Sequence, residues 1–317
     1  MKTALITGIS GQDGSYLAEY LLARNYRVFG LVRREPQTVR WLQPILDSVE
    51  FVYGDMRDVV SLEAAIQKSE PHELYNLAAH GFVPASWSRP AESFDVIVGG
   101  LARILAAVER FRPGCRVYQA SSSEMFGNKD CVIDENTPMR PESPYGVAKL
   151  SAHQLADVYR RKGLFVVGGI LFNHESPRRA PEIVTTKIVR AVARWARGDK
   201  AALELGDLTP RRDWGFAGDY VRAIHLMVQN DKPIDYVIAT GKSHSVREFL
   251  MTALRAAGLD AENYMDLVVS KGELKRPNEI GNLCGCAARA QAQLGWHPTV
   301  SFEELVEMMV RAELASH

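Results

Sequence analysis

The sequence has no surplus of charge of either sign and no long apolar run. Its 38 Lys and Arg residues balance 38 Asp and Glu residues in a chain of 317 residues. A neutral chain generates no overall field that would attract nucleic acid or an anionic membrane. The first apolar run ends at Gly8, too early for a signal-peptide core, and no uninterrupted run reaches the about 18 residues of a membrane span. We therefore predict a soluble, cytoplasmic protein that binds neither nucleic acid nor membrane.

Cysteine is also scarce. The four cysteines form no Cys-x-x-Cys pair, and Cys284 and Cys286 have a single residue between them. This spacing fits reduced thiols better than a disulfide framework or a zinc site. We therefore predict a protein without a bound metal. Because the chain is neutral, a site for an anionic ligand must be built from local clusters of basic residues.

Short runs rich in β-branched residues alternate with amphipathic stretches in the first half of the chain. Strands separated by helices favour right-handed crossovers, so this half predicts an α/β fold with a doubly wound parallel sheet of the Rossmann type. Past about residue 173 the pattern loosens into helices separated by polar loops. The predicted strands are Thr3–Thr7, Arg27–Leu31, Glu50–Tyr53, Glu73–Asn76, Arg116–Ala120 and Phe165–Ile170. The predicted helices are Tyr16–Arg24, Val59–Gln67, Ala91–Arg112, Tyr145–Lys162, Thr185–Arg197, Asp219–Gln229, Val246–Ala256 and Phe302–Leu314.

A glycine-rich turn joins the first predicted strand to the helix that follows it. Glycines let a pyrophosphate approach the backbone, and a helix N-terminus offers free amides and the positive end of a dipole. The spacing is G-x-x-G-x-x-G rather than the commoner G-x-G-x-x-G, but the strand–turn–helix context favours a dinucleotide site over an ordinary turn. The cofactor-binding residues predicted here are Gly8, Ser10, Gly11, Gln12, Asp13 and Gly14.

The residues after the second and third predicted strands indicate which dinucleotide binds. An acidic residue after the second strand usually binds the ribose of NAD, whereas an arginine there binds the 2′-phosphate of NADP. This chain has Arg33 and Arg34 at that place, so it favours NADP over NAD. Surface arginines are common, and a purely solvated role for the two stays open. Asp55 and Met56, after the third strand, suit a loop that contacts the adenine.

Tyr145 and Lys149 open a predicted helix after a proline. Four residues make about one helical turn, so the phenol and the ammonium lie on the same face. A nearby cation lowers the pKa of a tyrosine and makes it a usable base for interconverting an alcohol and a ketone. The serine loop after the fifth strand adds hydroxyls and the Glu124 carboxylate, a second base that a simple dehydrogenase does not need. The predicted catalytic residues are Ser122, Ser123, Glu124, Tyr145 and Lys149.

Longer strings around these motifs resemble the GDP-mannose 4,6-dehydratases, a family of the extended short-chain dehydrogenase/reductase superfamily. The similarity extends from residue 3 to about residue 311. It implies bound NADP and GDP-mannose as substrate. It also implies a homotetramer, because the Arg33–Arg40 loop resembles one that reaches a neighbouring subunit's cofactor site in this family. The strings that carry the resemblance are Thr7–Glu19, Tyr118–Gly127, Ser143–Leu150, Gly169–Arg179, Val184–Lys187 and Arg212–Tyr220.

The resemblance also implies roles for individual residues. Ser122 stands where the family usually has an active-site threonine, so the hydroxyl is kept and the methyl lost. Basic residues of the substrate site would form a cationic clamp for the GDP diphosphate. The implied cofactor contacts are Leu77, Ala78, Ala79, His80, Leu171, His174 and Arg179, with Tyr145 and Lys149. The implied substrate contacts are Ser86, Glu124, Asn173, Val184, Lys187, Leu205, Gly206, Arg212, Arg276 and Glu279.

These motifs divide the chain into two predicted regions. Residues 1–172 would form the NADP-binding domain, with residues 218–254 returning to it. Residues 173–217 and 255–317 would form the region that binds the GDP-sugar. Departures from the family at His80-Gly81, Glu35-Pro-Gln37, Gly281 and Cys284-Gly-Cys286 affect the choice of sugar more than the type of reaction.

The reaction implied is loss of water from GDP-mannose to give GDP-4-keto-6-deoxymannose, with a hydride moved from C4 to C6 through NADP. Tyr145 would take the C4 hydroxyl proton and Glu124 the C5 proton. The alternatives are a GDP-sugar 4-ketoreductase or 4-epimerase, a dehydratase of another GDP-sugar such as a GDP-heptose, and a non-catalytic NADP-sensing protein. Glu124 argues against the first of these, and the tyrosine–lysine pair argues against the last.

Overall fold

The computed structural model describes residues 1–33, 40–79, 81–274 and 278–316. Strands and helices alternate along most of this length. The strands are β1 (Thr3–Thr7), β2 (Arg27–Val32), β3 (Val49–Tyr53), β4 (Glu73–Asn76), β5 (Arg116–Ala120), β6 (Val166–Leu171), β7 (Asn173–Glu175), β8 (Leu203–Leu205), β9 (Arg211–Phe216), β10 (Tyr236–Ile238), β11 (Ser243–Ser245), β12 (Val268–Ser270) and β13 (Asn282–Leu283). The helices are α1 (Gln12–Leu22), α2 (Val59–Ser69), α3 (Ala85–Ser88), α4 (Pro90–Phe94), α5 (Gly100–Phe111), α6 (Pro144–Arg161), α7 (Val184–Ala196), α8 (Ala217–Gln229), α9 (Val246–Ala256), α10 (Ala288–Leu294) and α11 (Phe302–Leu314).

A seven-stranded sheet in the order β10-β6-β5-β4-β1-β2-β3 forms the centre of the molecule. All of its neighbouring strands run parallel. The order reverses between β1 and β4, and ligands of such sheets bind beyond the carboxyl ends of the strands at that reversal. The topology therefore places the turn after β1 and the loop after β4 at one binding crevice.

Both faces of this sheet are covered, which explains why its strands are apolar throughout. In β1, Ala4 and Ile6 pack with α1 and α8 on one face, whereas Leu5 packs on the other face with α2, α5 and α6. Side chains alternate between the two faces of a strand, so a strand buried on both sides needs apolar residues at successive positions. The predicted doubly wound parallel sheet is confirmed.

A second core lies outside the sheet. Helices α7, α9 and α11 pack together around Trp195, Phe249 and Leu305, all of which are almost fully buried. A smaller sheet joins β11, β9 and β13, with β7 also paired to β9, and β12 pairs with β8. Helices α9 and α11 begin with capping boxes formed by Ser245 with Glu248 and by Ser301 with Glu304. These caps satisfy free amides of the first turn and fix where the helices start.

The helix predicted over Ala91–Arg112 is interrupted. A π-helical turn over Asp95–Gly99 separates α4 from α5. Two successive glycines allow a close approach here, since a Cβ at Gly100 would lie 2.7 Å from the Met56 side chain. Uniform helical periodicity in the sequence does not reveal such an insertion.

The second half of the chain contributes to both cores. Helix α8 packs on α1 and strand β10 completes the central sheet, whereas β11 pairs with β9 and α9 packs on α7 and α11. We propose a domain boundary that follows this packing, with residues 217–238 in the dinucleotide-binding domain and residues 243–256 in the substrate region. Among the described helices, none has the length and apolarity required to cross a membrane.

Candidate active site

The turn after β1 is shaped for close contact with a ligand. Gly8 has a φ of +72°, a conformation that glycine adopts without strain. A Cβ at Gly14 would lie 2.3 Å from the Gly8 carbonyl oxygen, so only glycine allows α1 to pack this tightly on the turn. Gly11 caps α1 without a side-chain hydrogen bond, which leaves the amides of the first turn open. This turn therefore fits the pyrophosphate of a dinucleotide.

Asp13 and His174 form a partly buried ion pair beside this turn. His174 Nε2 lies 2.8 Å from Asp13 Oδ2, and His174 Nδ1 lies 2.7 Å from the Phe172 carbonyl oxygen. Burial would raise the pKa of Asp13, but the charge and hydrogen bond of His174 outweigh burial and lower it to about 2. Burial would likewise lower the pKa of His174, but Asp13 holds it above its ordinary value. The pair ties α1 to β7.

The serine loop after β5 brings Glu124 to the first turn of α6. Ser122 Oγ accepts a hydrogen bond of 3.2 Å from the Glu124 amide and so starts a short 3₁₀ turn. A Cβ at Gly146 would lie 2.6 Å from the Glu124 carbonyl oxygen, so glycine at this place lets helix and loop meet. Ser143 caps α6 by accepting from the Gly146 amide at 3.0 Å. The loop that carries Glu124 and the first turn of α6 are thereby held together.

Tyr145 and Lys149 lie one turn apart in α6, and both are buried. Lys149 Nζ donates to the Ala120 carbonyl oxygen at 2.7 Å and lies 5.6 Å from the centre of the Tyr145 ring. Burial lowers the pKa of Lys149 to about 8. Burial, followed by the charge of Glu124, raises the pKa of Tyr145 to about 12, although a hydrogen bond with Ser122 lowers it.

This direction differs from the sequence prediction that a cation lowers the pKa of Tyr145. The protein's own groups leave the phenol protonated at neutral pH, because desolvation and the nearby carboxylate both oppose a phenolate. A base at this position therefore needs positive charge beyond that of the side chains around it.

One cavity of about 610 Å³ joins these groups to the substrate region. It extends from Asp13 at the glycine turn to Arg212 and Glu279 at the far end. Cavities of roughly 300–1,000 Å³ are typical of small-molecule sites. The predicted residues that line it are Asp13, Leu77, Ala79, Ser122, Ser123, Glu124, Tyr145, Lys149, Leu171, Asn173, His174, Arg179, Val184, Lys187, Leu205, Gly206, Arg212 and Glu279.

The end of the cavity formed by β9 carries a buried arginine. Arg212 donates to the Ile280 carbonyl oxygen at 2.7 Å and to Glu279 Oε1 at 2.8 Å. These contacts orient the guanidinium, and Glu279 offsets part of its charge. Lys187, in the first turn of α7, lines the same end. The cationic clamp predicted from sequence also included Arg276, which lies outside the described residues.

Other predicted residues stand beside the cavity rather than in its wall. Arg33 is exposed at the end of β2. Asp55 binds the Arg57 guanidinium through contacts of 3.0 Å, and Met56 is buried against Gly100. Ser86 is buried, where it accepts from the Tyr145 amide at 3.1 Å and donates to a backbone carbonyl, so it supports α6 from behind. The described predicted residues outside the cavity wall are Gly8, Ser10, Gly11, Gln12, Gly14, Arg33, Asp55, Met56, Ala78 and Ser86; Arg34 and His80 lie outside the described residues.

The sequence motifs missed part of the cavity wall. Phe82 and Trp87 form an apolar side, and Trp87 is exposed although it is aromatic. Three acidic residues, Glu182, Glu204 and Asp207, line the same cavity. Their only signal in the sequence was position, since Glu182 and Asp207 lie in loops and Glu204 in the three-residue strand β8, none of which shows a periodicity. The site is therefore less uniformly basic than the motifs predicted.

A model of the family described as GDP-mannose 4,6 dehydratase matches residues 5–309 of the chain. The chain belongs to the GDP-mannose 4,6-dehydratase family. Among its relatives, GDP-mannose 4,6 dehydratase 1 of Arabidopsis thaliana is 45% identical over 99% of this chain and 90% of that protein. The Homo sapiens GDP-mannose 4,6 dehydratase is 42% identical over 99% and 91%. The Yersinia enterocolitica GDP-mannose 4,6-dehydratase is 39% identical over 99% and 94%.

Solved structures of other nucleotide-sugar enzymes share the fold of this member of the GDP-mannose 4,6-dehydratase family. UDP-glucose 4-epimerase of Thermus thermophilus, in complex with NAD, superposes with a TM-score of 0.86 at 27% identity, covering 99% of this chain and all 100% of the epimerase. DesIV, a dTDP-glucose 4,6-dehydratase of Streptomyces venezuelae with NAD bound, gives a TM-score of 0.87 at 25% identity, covering 98% and 96%. The family and the fold predicted from sequence are confirmed.

Proposed function

We propose that the protein is an NADP-dependent GDP-mannose 4,6-dehydratase that releases GDP-4-keto-6-deoxymannose and water. The observation that carries this proposal is the presence of two bases in one cavity. Tyr145 and Glu124 both line it, and the charge of the Glu124 carboxylate raises the pKa of the Tyr145 phenol. Oxidation at C4 needs one base, whereas elimination across C5 and C6 needs a second. A dehydratase uses both.

The residues at the switch point of the sheet fit a nicotinamide dinucleotide. The glycine turn leaves amides open at the start of α1, and the cavity runs from Asp13 to Lys149 along the carboxyl ends of the strands. When bound, oxidised NADP supplies a positive charge and accepts a hydride that it later returns. Gly8, Gly11 and Gly14 would hold its pyrophosphate, and Lys149 would hold the ribose beside the nicotinamide.

Tyr145 removes the proton of the C4 hydroxyl as that carbon becomes a ketone. The hydrogen bond from Ser122 favours the phenolate and also suits a contact with the C4 oxygen. Lys149 is kept in place by the Ala120 carbonyl, so its charge stays on the phenol side of α6. Ser122 and Lys149 therefore stabilise the charge that develops on Tyr145 and C4.

Glu124 acts on the ketone that this oxidation produces. A ketone at C4 acidifies the hydrogen on C5, and the carboxylate takes that proton while the hydroxyl leaves C6. The proton from C5 and the hydroxide from C6 together account for the water released. The hydride taken from C4 ends on C6, and C5 regains a proton equivalent to the one that Tyr145 removed from the C4 hydroxyl. The sugar therefore loses only water, Tyr145 returns to its starting state and no cofactor is consumed.

The finer features of the proposal are the cofactor, the substrate nucleotide, the assembly and the compartment. NADP rather than NAD is supported by Arg33, which is exposed at the end of β2. GDP-mannose is supported by the names of the relatives and by Lys187 and Arg212 at the far end of the cavity. We further propose a homotetramer in the cytoplasm, from the likeness of the loop that starts at Arg33 to the family's intersubunit loop and from the four free cysteines.

A second candidate function is 4-epimerisation of a GDP-sugar. The fold is shared with UDP-glucose 4-epimerase of Thermus thermophilus, at a TM-score of 0.86. An epimerase also needs a tyrosine, a lysine and a nearby hydroxyl, all of which line this cavity. It has no use for a carboxylate that removes a C5 proton, which is why we rank it second.

Incubating the purified protein with GDP-mannose, without added cofactor, distinguishes these functions by mass spectrometry. We expect a product lighter by one water. A product of unchanged mass that co-elutes with a different GDP-hexose would establish the epimerase instead. If the sugar is altered only when reduced cofactor is added, the reaction is a reduction. A protein that binds NADP but leaves GDP-mannose unchanged under all these conditions would be a binding protein.

A further inference from the structure

A chain of three polar side chains lies behind the serine loop, and the reaction proposed above does not use it. Ser121 Oγ lies 2.8 Å from His153 Nδ1. On the other side of the ring, His153 Nε2 lies 3.6 Å from Asp235 Oδ2. The side chains of His153 and Asp235 are only 11% and 17% exposed, so bulk water competes little for these contacts. Three separate elements thus meet at one histidine.

The side chains of His153 and Asp235 are closely packed against β6. A Cβ at Gly168, on β6, would lie 2.9 Å from His153 Nδ1 and 2.8 Å from Asp235 Oδ1, so glycine there makes room for both side chains. Asp235 accepts from the Gly168 amide at 2.7 Å and from Arg160 at 3.1 Å. Its carboxylate is therefore anchored to β6 and α6 before it meets the histidine.

His153 stands one turn beyond Lys149 in α6, which itself stands one turn beyond Tyr145. Residues four apart lie on the same helical face, so the three side chains follow one another along the same side of the helix. Ser121 directly follows Ala120, the acceptor of the Lys149 hydrogen bond, and directly precedes Ser122. His153 consequently holds the strand end that carries both of those contacts.

The position of the proton on the ring follows from the charges around it. The anionic Asp235 faces Nε2, which favours the tautomer with the proton on that nitrogen. Nδ1 is then an acceptor, and the Ser121 hydroxyl donates to it. Burial lowers the pKa of His153, which keeps the ring neutral and this arrangement intact.

We propose that Asp235, His153 and Ser121 form a positioning relay that fixes the end of β5 against α6. None of the three carries out chemistry in this scheme. The relay sets where the Ala120 carbonyl meets Lys149 and where the Ser122 hydroxyl meets Tyr145. This inference rests on the proposed function for its kinetic consequence, but not for its geometry.

The kinetic test exploits the shapes of asparagine and glutamine. The amide of an asparagine occupies the place of Nδ1, whereas that of a glutamine occupies the place of Nε2. We expect His153→Asn to keep kcat within about threefold of wild type, because its oxygen still accepts from Ser121. His153→Gln should lower kcat about tenfold, the scale of one lost hydrogen bond, with KM for GDP-mannose unchanged. Thermal unfolding of both variants is measured alongside, and we expect cooperative transitions like that of the wild-type protein.

Glutamine is closer to histidine in size than asparagine is. If His153 merely fills space, His153→Gln should be the better enzyme, and that order would overturn the relay. So would a change confined to KM. Ser121→Ala gives a second check: we expect a loss of about tenfold in kcat that does not add to the loss of His153→Gln in the double variant. Additive losses would show that the two residues act separately.

A spectroscopic measurement needs no substrate and separates this inference from the proposed function. Long-range ¹H–¹⁵N correlation spectra report which ring nitrogen carries the proton, and His153→Asn identifies the His153 signals among the eight histidines. We expect the proton on Nε2 in the wild-type protein and a shifted Nδ1 signal in Ser121→Ala. A proton on Nδ1 would overturn the relay. If the tautomer is as expected but GDP-mannose is not dehydrated, the proposed function fails and the relay stands.

Discussion

The two ends of the cavity, which we propose to be its catalytic end and its nucleotide end, are assembled from different kinds of structure. Tyr145 and Lys149 stand on the long helix α6, and Glu124 follows a central strand of the sheet. The nucleotide end takes Lys187 from the first turn of α7 and Arg212 from the smaller sheet around β9. The first set of side chains stands on one long helix and beside a strand of the central sheet, whereas the second is an arrangement of partly paired charges between short elements.

The electrostatics of the two ends differ in the same way. Burial, followed by the charge of Glu124, raises the pKa of Tyr145 to about 12, and burial lowers the pKa of Lys149 to about 8. Both pKa values therefore lie away from the ordinary values of these side chains. At the other end, Arg212 is buried but paired with Glu279. Changes at the catalytic end should therefore act on kcat, and changes at the nucleotide end on KM.

The largest effect is expected from Glu124→Gln, which keeps the shape of the side chain and removes its basicity. Loss of a positioned general base typically costs about 10²–10⁴-fold in rate. Only the elimination step should suffer, so reduced cofactor should accumulate and be visible as nicotinamide absorbance. Stopped-flow absorbance with GDP-mannose measures both the amplitude and the rate.

Tyr145→Phe is the matched control for that experiment. It should block the first step, so turnover stops and the cofactor stays oxidised. Dehydration by Glu124→Gln at the wild-type rate would make Glu124 a structural residue of the loop. Tyr145 would then be the one proposed base left in the cavity, and the dehydratase mechanism would lose its support.

At the nucleotide end we expect Lys187→Gln to raise KM for GDP-mannose about ten- to a hundredfold. A charge-assisted contact contributes roughly 1.5–3 kcal/mol to binding, and the diphosphate is the most highly charged part of this substrate. Steady-state kinetics should show that kcat stays within about twofold of the wild-type value while KM rises. Lys68→Gln, at an exposed position in α2, controls for loss of charge. A fall in kcat with unchanged KM would place Lys187 at the catalytic end.

A smaller effect is expected in the preference for NADP over NAD. We expect Kd for NADP to be at least about tenfold lower than Kd for NAD, because one charge-assisted contact to the 2′-phosphate is worth that much. Arg33→Ala should narrow the difference between the two dissociation constants. The control is Arg24→Ala, just beyond the end of α1 that is opposite the glycine turn, and it should not change this difference. Fluorescence titration measures both constants. Equal constants for the two cofactors in the wild-type protein would refute the assignment of NADP.

The smallest effect concerns the junction between the two regions, the Asp13–His174 pair. The raised pKa of His174 gives stability that is present below its ordinary pKa of 6.5 and is lost as pH rises through the folded value. The lowered pKa of Asp13 gives stability that is present above its ordinary value of 3.8 and is lost as pH falls through about 2. The pair therefore stabilises most between these limits.

The melting temperature of His174→Asn should lie further below that of wild type at pH 5 than at pH 9, with the gap narrowing by roughly 2–4 °C. Differential scanning fluorimetry is sufficient, and the exposed His297→Gln serves as control. A gap that is constant with pH would mean that the His174 ring stabilises by packing alone.

Several strands and helices could be predicted because regular elements carry a period in the sequence. Strands β1, β4 and β5 and helices α9 and α11 have the predicted bounds. Periodicity reveals such elements, and a glycine turn or a Tyr-x-x-x-Lys spacing identifies the groups at their ends.

The remaining features depend on contacts between distant residues. The three-residue strands β7, β8 and β11 are too short to show a period. Sequence spacing placed Lys149 near Tyr145, but it could not show that burial and Glu124 dominate the pKa of that phenol. Ser86 was predicted to bind substrate, yet its hydroxyl is used by the backbone of α6 and by Val83.

The late arrival of β10 has a consequence for synthesis of the chain. Among the strands that the structure describes, β10 pairs only with β6 in the central sheet, through Tyr236 and Gly169 among others. Until residues 236–238 have left the ribosome, β6 is an open edge with unpaired amides and carbonyls, the kind of edge that invites wrong partners. Translation delivers roughly 5–20 residues per second, so a nascent chain carries that edge for several seconds. Cells that make this protein quickly would benefit from a chaperone that shields the unfinished sheet.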